Sequence, residues 1–339
     1  MTLNENDIKN VKSLIANSKN IAIITHFNPD ADAVGSSIGL YLYLKAKRKN
    51  VNIIMPNPFP SFLDFFATDI PMILGYKETK KANDLLLKSD IIFCLDFNMI
   101  HRVGNANKDA LLNSPATKIL IDHHQLPEKH FNILFSNPNA SSTTEVLAHF
   151  IKALSGKRAI TFEMAQAIYI GICTDTGSFS YNCNNAETYA LVSDLIAKGV
   201  KADMVHQEVY NTFSENRLRL LGYSIAEKLK VFPKYQAAYI CLTKEELRQY
   251  HFQPGDTEGL VNYCLNLKGI NFGCLITERD RIIRLSFRSK VNTFDVNQFA
   301  RKYWDGGGHI MASGGTYQGK LEDVIIALEK QIKTLKDEI

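Results

Sequence analysis

An acid followed by two adjacent histidines, Asp122-His123-His124, ends the apolar run Lys118-Ile119-Leu120-Ile121. Ionisable side chains at the end of a hydrophobic strand are costly to bury without compensation, which marks them as candidates for chemistry. Three further segments end in the same way. His26, Asp30 and Asp32 follow Asn20–Thr25, Asp96 follows Asp90–Leu95, and Asp175 follows Ala165–Cys173. One aspartate after one strand is ordinarily a turn residue or a helix cap. Four such endings, two of them with histidines, need another explanation. Brought together, Asp30, Asp32, Asp96 and Asp175 would repel one another and take up protons unless cations neutralised them. Two divalent ions balance four carboxylates. A donor set of carboxylate and imidazole without thiolate favours Mn²⁺ or Mg²⁺, with Zn²⁺ admissible, and argues against a cysteine-type structural zinc. A carboxylate bridging two ions about 3.5–4 Å apart is a recurrent plan for hydrolysing phosphoesters. Asp96, alone on its strand between the other clusters, is the candidate bridge.

The elements that must position these residues follow one grammar. Ile8, Val11, Leu14 and Ile15 give Asp7–Ala16 a helical stripe, and Asn20–Thr25 reads as a buried strand. Pro29 keeps Asn28 out of a helix, so the His26–Ser37 cluster begins in a loop before a helix over about Val34–Arg48. Strands at Val51–Met55, Asp90–Leu95 and Lys118–Ile121 continue the pattern, which is α/β. Ala165–Cys173, with Glu163, Met164 and Gln166 at its start, suits a helix better than a strand, and both stay open. In an open parallel sheet the carboxyl ends of the strands share one edge, where ligands bind. Topology would therefore gather residues that are distant in sequence.

The chain has 339 residues, which suggests two domains, and 45% hydrophobic with 22% charged residues describes a globular protein. Its apolar runs, such as Ile91–Leu95, are far short of a membrane span, and the polar, acidic N-terminus shows no signal-peptide pattern. Six scattered cysteines without a C-x-x-C read as small buried residues in a reducing, cytoplasmic setting. A net charge of +4 permits an anionic ligand but predicts no duplex-DNA footprint. Ala186–Lys198, Lys201–Thr212 and Glu215–Lys230 read as helices, and from Tyr235 a strand-rich pattern begins with Ala237–Cys241, Asn271–Thr277 and Ile282–Phe287. Glu278-Arg279-Asp280-Arg281 reads as a hairpin turn. The expected division is a parallel-sheet domain over 1–195, a helical connector over 196–230 and a smaller α/β domain over 231–339.

Substrate-reading candidates lie mostly in the second domain. Arg284, Ser286 and Arg288 share one face of their strand, and Lys290 leads toward a helix over Asp295–Tyr303. The stretch Gly306-Gly307-Gly308-His309 reads as a loop where Gly307 and Gly308 let the backbone approach an anion that His309 can reach. Arg288 and His309 are the leading candidates for a terminal phosphate or nucleotide, followed by Lys290. Trp304 and Tyr303 are open between base stacking and core packing. In the first domain, Arg102 is open between a phosphate, the neighbouring acids and solvent. Ser142 with Glu145 reads as a capping box, and that helix start could also face a phosphate.

His26-x-x-Pro29-Asp30-x-Asp32-x-x-Gly35-Ser36, Asp96, Asp122-His123-His124 and Thr174-Asp175-Thr176-Gly177 together resemble the motifs of the DHH phosphoesterase superfamily. Gly306-Gly307-Gly308-His309-x-x-Ala312-Ser313-Gly314-Gly315 resembles the signature of the DHH-associated domain, and length and spacing look most like the nanoRNase A group. One departure is Ala31, where glycine is frequent. The resemblance implies a two-metal phosphoesterase with its active site in the interdomain cleft. It would cut short oligoribonucleotides from the 3′ end and remove the 3′-phosphate of 3′-phosphoadenosine 5′-phosphate. It assigns one ion, Mn²⁺ foremost, to His26, Asp30 and Asp96, and the second to Asp32, Asp96, His123 and Asp175. His124 would face the scissile phosphate, as a donor to a phosphoryl oxygen or as an acid near the leaving group, with Asp122 orienting a histidine. Neighbours in an extended segment point to opposite sides, which is compatible with this division of His123 from His124. Members of the family also form homodimers. A phosphodiesterase acting on cyclic or linear dinucleotides is the alternative. A catalytically silent nucleic-acid-binding module is a third reading, against which the full set of acids speaks.

Overall fold

A computed structural model of the chain describes residues 3–280, 282–290 and 293–334. Met1 and Thr2 of the polar N-terminus and Arg281 of the expected hairpin turn lie outside the described residues. The chain divides between Thr212 and Phe213 into two compact units.

The first unit is built on six parallel strands: β1 (Asn20–Ile24), β2 (Asn50–Met55), β3 (Met72–Leu74), β4 (Ile91–Leu95), β5 (Thr117–Asp122) and β6 (Ile133–Ser136). Their spatial order is β3-β2-β1-β4-β5-β6. The chain runs outward in one direction from β1, then starts again beside it with β4. The reversal between β1 and β4 is the point where open parallel sheets place their ligands. Both faces of the sheet are covered, so the strands are continuous apolar runs, without alternation. Ile21, Ile23, Phe93, Ile119 and Ile121 face one core cluster, and Ala22, Ile24, Ile92, Cys94 and Leu120 face another.

Helices Ala31–Ala46, Thr143–Ser155 and Phe162–Asp175 fill the first of these clusters. Ala31–Ala46 is buried on nearly all sides, which explains a sequence without a clear amphipathic stripe. It begins three residues before the expected Val34, because Asp30 caps it, accepting from the N–H groups of Asp32 and Ala33 at 3.0 Å each. Ala31 opens this helix outside the left-handed region, so the departure from glycine carries no backbone strain. Phe162–Asp175 settles the open choice over Ala165–Cys173 in favour of helix.

The second unit has the sheet order β11-β12-β10-β9-β8-β7, with β7 (Leu229–Phe232), β8 (Ala237–Leu242), β9 (Phe272–Glu278), β10 (Ile283–Ser289), β11 (Gly307–Gly308) and β12 (Ala312–Tyr317). Among the described residues only the β8–β9 pair of this sheet is parallel. Helices Val296–Tyr303 and Leu321–Thr334 cover one face, and Glu215–Glu227, Lys244–Gln249 and Asn262–Leu265 belong with the other. Helices Ala202–Tyr210 and Glu215–Glu227 stand on opposite sides of the Thr212/Phe213 divide. Val205 and Val209 pack in the first core, and Leu220 packs in the second.

One expectation is corrected here and one open choice is closed. The glycine-rich stretch is a hairpin, not a loop: Gly307 pairs with Gly314 and Gly308 with Ser313. A Cβ on Gly306 would lie 2.0 Å from the Gly314 carbonyl oxygen, so close strand approach accounts for that glycine. Trp304 is buried to 2% exposure against Phe287 and Tyr317, and is a core residue with no face for a base.

Candidate metal centre

At the switch point, Thr25 after β1 donates its hydroxyl to the Leu95 carbonyl at 2.9 Å, tying the ends of β1 and β4 together. His26 comes next, buried, with Nδ1 3.0 Å from its neighbour's carbonyl, Phe27 O. Its Nε2 then faces Asp96 Oδ2 at 3.4 Å and Asp30 Oδ2 at 3.9 Å. Asp96 follows β4 with φ +63°, a left-handed conformation that aspartate tolerates better than most residues. Backbone strain of this kind gathers at functional positions. Asp96 N–H donates to Ile121 O on β5, and the turn aims the carboxylate at the histidines that follow that strand. Asp96 Oδ1 lies 3.8 Å from His123 Nε2 and 3.7 Å from His124 Nδ1.

The histidine pair divides. The two rings are inclined at 78°, with centroids 5.1 Å apart. His123 Nε2 faces Asp175 Oδ2 at 3.3 Å and Asp32 Oδ2 at 4.0 Å. His124 turns its Nδ1 to Asp122 Oδ1 at 2.7 Å. Asp122 is the last residue of β5 and fully buried.

Two trios of donor atoms have metal-ligand spacing, His26–Asp30–Asp96 and Asp32–Asp96–His123, each with atoms within 4.8 Å of one another. Asp96 belongs to both. The same spacing holds for Asp96, Asp122 and His124. Asp175, at the end of its helix and next to His123, stands beside the second trio. Hard oxygen donors mixed with imidazole suit Mn²⁺, Mg²⁺ or Zn²⁺, so the residues fit the ions expected of them.

Thr143, Thr144 and Gly171 were not anticipated as site residues. The start of helix Thr143–Ser155, expected as a cap or a phosphate seat, is capped by Ser142 and takes Asp32 as its anion. Thr143 N–H donates to Asp32 Oδ2 at 2.6 Å and Thr144 N–H to Oδ1 at 2.9 Å. Thr143 Oγ1 donates to Asp96 Oδ1 at 2.8 Å, so one residue holds both acids. A Cβ on Gly171 would lie 2.4 Å from Thr144 Oγ1 and 2.7 Å from Asp32 Oδ1, so glycine is needed for this approach. The capping box is half formed. Ser142 accepts from Glu145 N–H, but the Glu145 carboxylate instead accepts from Ser141 N–H and the hydroxyls of Ser141 and Thr188.

Charge explains the remaining electrostatics. Burial, then the charges of Asp96 and Asp175, push the Asp32 carboxyl well above its ordinary range. Burial opposes ionisation of Asp96 as well, but a hydrogen bond from His26 and the charges of the three histidines outweigh it and hold Asp96 low. Burial disfavours a charged His123, yet Asp175, Asp32 and Asp96 raise it to about 9. His26 is raised too, against its burial, by Asp96 and Asp30. His124 is pulled well below the usual histidine range by burial and by the charge of Arg102. Arg102 therefore sits close enough to act on His124 and His26, and its carbonyl accepts from Phe27 N–H at 2.6 Å. Without cations, protons on histidine and Asp32 balance the carboxylates.

In the second unit, Arg288 on β10 pairs in register with Ala312, and Arg288 Nη1 donates to Phe287 O at 3.0 Å. His309 N–H donates to Ala312 O at 2.7 Å, which brings His309 and Arg288 to the same end of the β10–β12 pair. Lys290 follows β10, and its Nζ reaches Leu267 O at 3.5 Å. Gly308 N–H is committed to Asn297 Oδ1 at 3.0 Å, and Gly307 stands beside Arg301.

The profile of the DHH family, N-terminal domain, matches residues 20–172, and that of the DHHA1 domain matches residues 233–334. The bifunctional oligoribonuclease and PAP phosphatase NrnA of Bacillus subtilis (strain 168) is 29% identical over 91% of this chain and 92% of its own length. The cyclic-di-AMP phosphodiesterase GdpP of the same strain is 23% identical over 97% of this chain but only 49% of its own. An exopolyphosphatase-related protein from Bacteroides fragilis superposes with TM-score 0.92 and 39% identity, covering 98% of this chain and 97% of that one. RecJ from Thermus thermophilus in complex with Mn²⁺ shares the fold at TM-score 0.58 and 12% identity, over 100% of this chain and 56% of RecJ. No helix among the described residues is long and apolar enough to cross a membrane.

Proposed function

The chain belongs to the DHH family, and from that premise we propose that it is a two-metal phosphoesterase for very short oligoribonucleotides and for 3′-phosphoadenosine 5′-phosphate. The observation that carries the reading is Asp96, one buried carboxylate common to two trios of donor atoms. End-to-end similarity to an oligoribonuclease and PAP phosphatase supports the substrate class. The cyclic-dinucleotide alternative has weaker support, since the chain spans about half of GdpP. His26, Asp30 and Asp96 would hold one ion, and Asp32, Asp96, His123 and Asp175 the other, with Mn²⁺ foremost. Bound there, the ions would polarise a phosphoryl oxygen and lower the pKa of water. Thr143 and Thr144 orient Asp32 and Asp96. Asp122 fixes the ring of His124, leaving Nε2 as the nitrogen for the phosphate. An arriving phosphate favours the imidazolium form that burial and Arg102 oppose. The second unit would read the nucleotide through Arg288 and His309, with Lys290 beside them. Six free, buried cysteines support a reducing, cytoplasmic setting.

The test is product analysis of the Mn²⁺-loaded protein on five substrates: a diribonucleotide, 3′-phosphoadenosine 5′-phosphate, a cyclic dinucleotide, pyrophosphate and polyphosphate. Mononucleotide from the first and phosphate from the second are expected at the highest kcat/KM. Preference for the cyclic dinucleotide or polyphosphate would replace the substrate assignment, and no release from any would favour a silent binding module.

A pH dependence follows from the raised histidines. A ligating imidazole must be unprotonated, so an ion bound at His123 displaces a proton at neutral pH, and the raised His26 acts in the same direction. Mn²⁺ affinity is expected to climb with pH toward about 9, the His123 value. Titration calorimetry in buffers of different ionisation enthalpy should report proton release on binding. Heats that do not change with buffer would remove His123 from the ligand set.

A further inference from the structure

Strand β10 shows two unlike faces. Ile283, Leu285 and Phe287 are buried in one core, while Arg284, Ser286 and Arg288 project from the other side. Across the ladder to β12, Arg284 pairs with Thr316, Ser286 with Gly314 and Arg288 with Ala312. Gly314 is exposed, and a Cβ there would meet only Leu285 O, at 3.7 Å, so the space above it is open. A bare floor with two flanking hydroxyl residues thus lies between Arg284 and Arg288. On the β9 side helix Asn262–Leu265 forms a wall, since a Cβ on Gly273 would lie 2.9 Å from Cys264 Cβ.

The far end of this floor has a second cation. Arg279 follows β9 in the turn, where its N–H donates to Ile282 O at 2.9 Å. Its guanidinium lies 4.0 Å from the centroid of the Phe252 ring, which holds it in place. Among the described residues neither Arg279 nor Arg284 has a carboxylate partner, and the β9–β10 register, with Arg284 opposite Thr277 and Arg279 opposite Ile282, puts the two arginines at the same end of the ladder. Two neighbouring guanidiniums without an acid repel each other until an anion lies between them. Arg284 and Arg288 are four residues apart on a strand, about 13 Å along the chain. That separation leaves room for two anionic groups, one at each arginine.

We propose that Arg279 and Arg284 form a subsite for an internal phosphodiester of a single-stranded oligoribonucleotide, lying beyond the nucleotide read at Arg288 along β10. The inference rests on the oligoribonucleotide reading above and adds to it a residue-level cause for chain-length preference. A dinucleotide or a nucleoside bisphosphate fills the Arg288 end alone, whereas a longer strand continues over Gly314 to the arginine pair.

The experiment measures binding of fluorescent diribonucleotide and pentaribonucleotide to the full-length protein by anisotropy, in chelator, across a salt series. Wild type, R284K, R284A and the double variant R279A/R284A are compared, with thermal melting to confirm folding. The double variant is expected to bind the pentanucleotide about tenfold more weakly, with a salt slope shallower by about 0.7 for each phosphate it no longer neutralises. The dinucleotide should change by less than about twofold, and R284K should keep most of the slope because it keeps the charge. Equal losses on both lengths, or an unchanged pentanucleotide slope, overturn the subsite. Hydrolysis of the dinucleotide by wild type with Mn²⁺ is scored separately. Its absence would sink the catalytic reading while leaving the length-dependent slope as evidence on the subsite.

Discussion

Replacing Asp96 with asparagine is expected to remove both metal ions and reduce turnover to background, while leaving the fold intact. Asn has the same size as Asp and is similarly tolerant of the left-handed region, so φ +63° carries little penalty. Its side-chain oxygen can still accept from Thr143 Oγ1, now 2.8 Å from Asp96 Oδ1. What disappears is the negative charge that the two donor trios share. Asp96→Ala is a less clean test, because alanine at that φ adds about 1–2 kcal/mol of strain and leaves Thr143 without its acceptor. Calorimetry should show no Mn²⁺ uptake by Asp96→Asn, and its melting temperature should not rise with Mn²⁺ as that of wild type does. In chelator the two melting temperatures should agree within a few degrees. Retained hydrolysis in this variant would sink the two-metal scheme.

The site was legible in the sequence to the extent that chemistry sits at strand ends. Apolar runs ending on Asp96 and on Asp122-His123-His124 announced strands buried on both faces, and a parallel sheet must bring such ends to one edge. What stayed hidden was whatever depends on contacts across long stretches of chain. Thr143 and Thr144 look like ordinary helix-start residues, and nothing local says that their N–H groups meet an acid 111 and 112 positions earlier. The one available hint was an apolar helix opened by Ser142-Thr143-Thr144 with no acid of its own at the first position. Asp30 carried two meanings at once, cap and donor, and the cap moved the helix start forward to Ala31. Strand β12 was missed because Ala312-Ser313-Gly314-Gly315 lacks the branched and aromatic residues that mark strands. Gly315 is set by the close packing of Trp304, whose Cβ would lie 2.7 Å from a Cβ there, a tertiary constraint with no local signature.

His124 should prove separable from the metal ligands. Its ring is inclined at 78° to that of His123, and its Nδ1 is held 2.7 Å from Asp122 Oδ1. His124→Ala is therefore expected to keep Mn²⁺ binding and to lose about 10²–10⁴-fold in kcat, the range of a positioned proton donor. Asp122→Asn distinguishes the two roles open to His124. With its amide N–H turned to Nδ1, asparagine places the ring proton on Nε2. The ring can then still donate a hydrogen bond to a phosphoryl oxygen, but no carboxylate stabilises the imidazolium needed to protonate a leaving oxygen. If His124 acts as the acid, Asp122→Asn should lose at least about 10–100-fold, the usual cost of removing a ligand-orienting carboxylate. The deficit of both variants should then shrink on a nitrophenyl ester, whose leaving group needs no proton. If His124 only donates a hydrogen bond, Asp122→Asn should stay near wild type and the leaving group should make no difference. Loss of Mn²⁺ by His124→Ala would contradict both roles, because the ring would then be a ligand that Asp122 orients toward the ions.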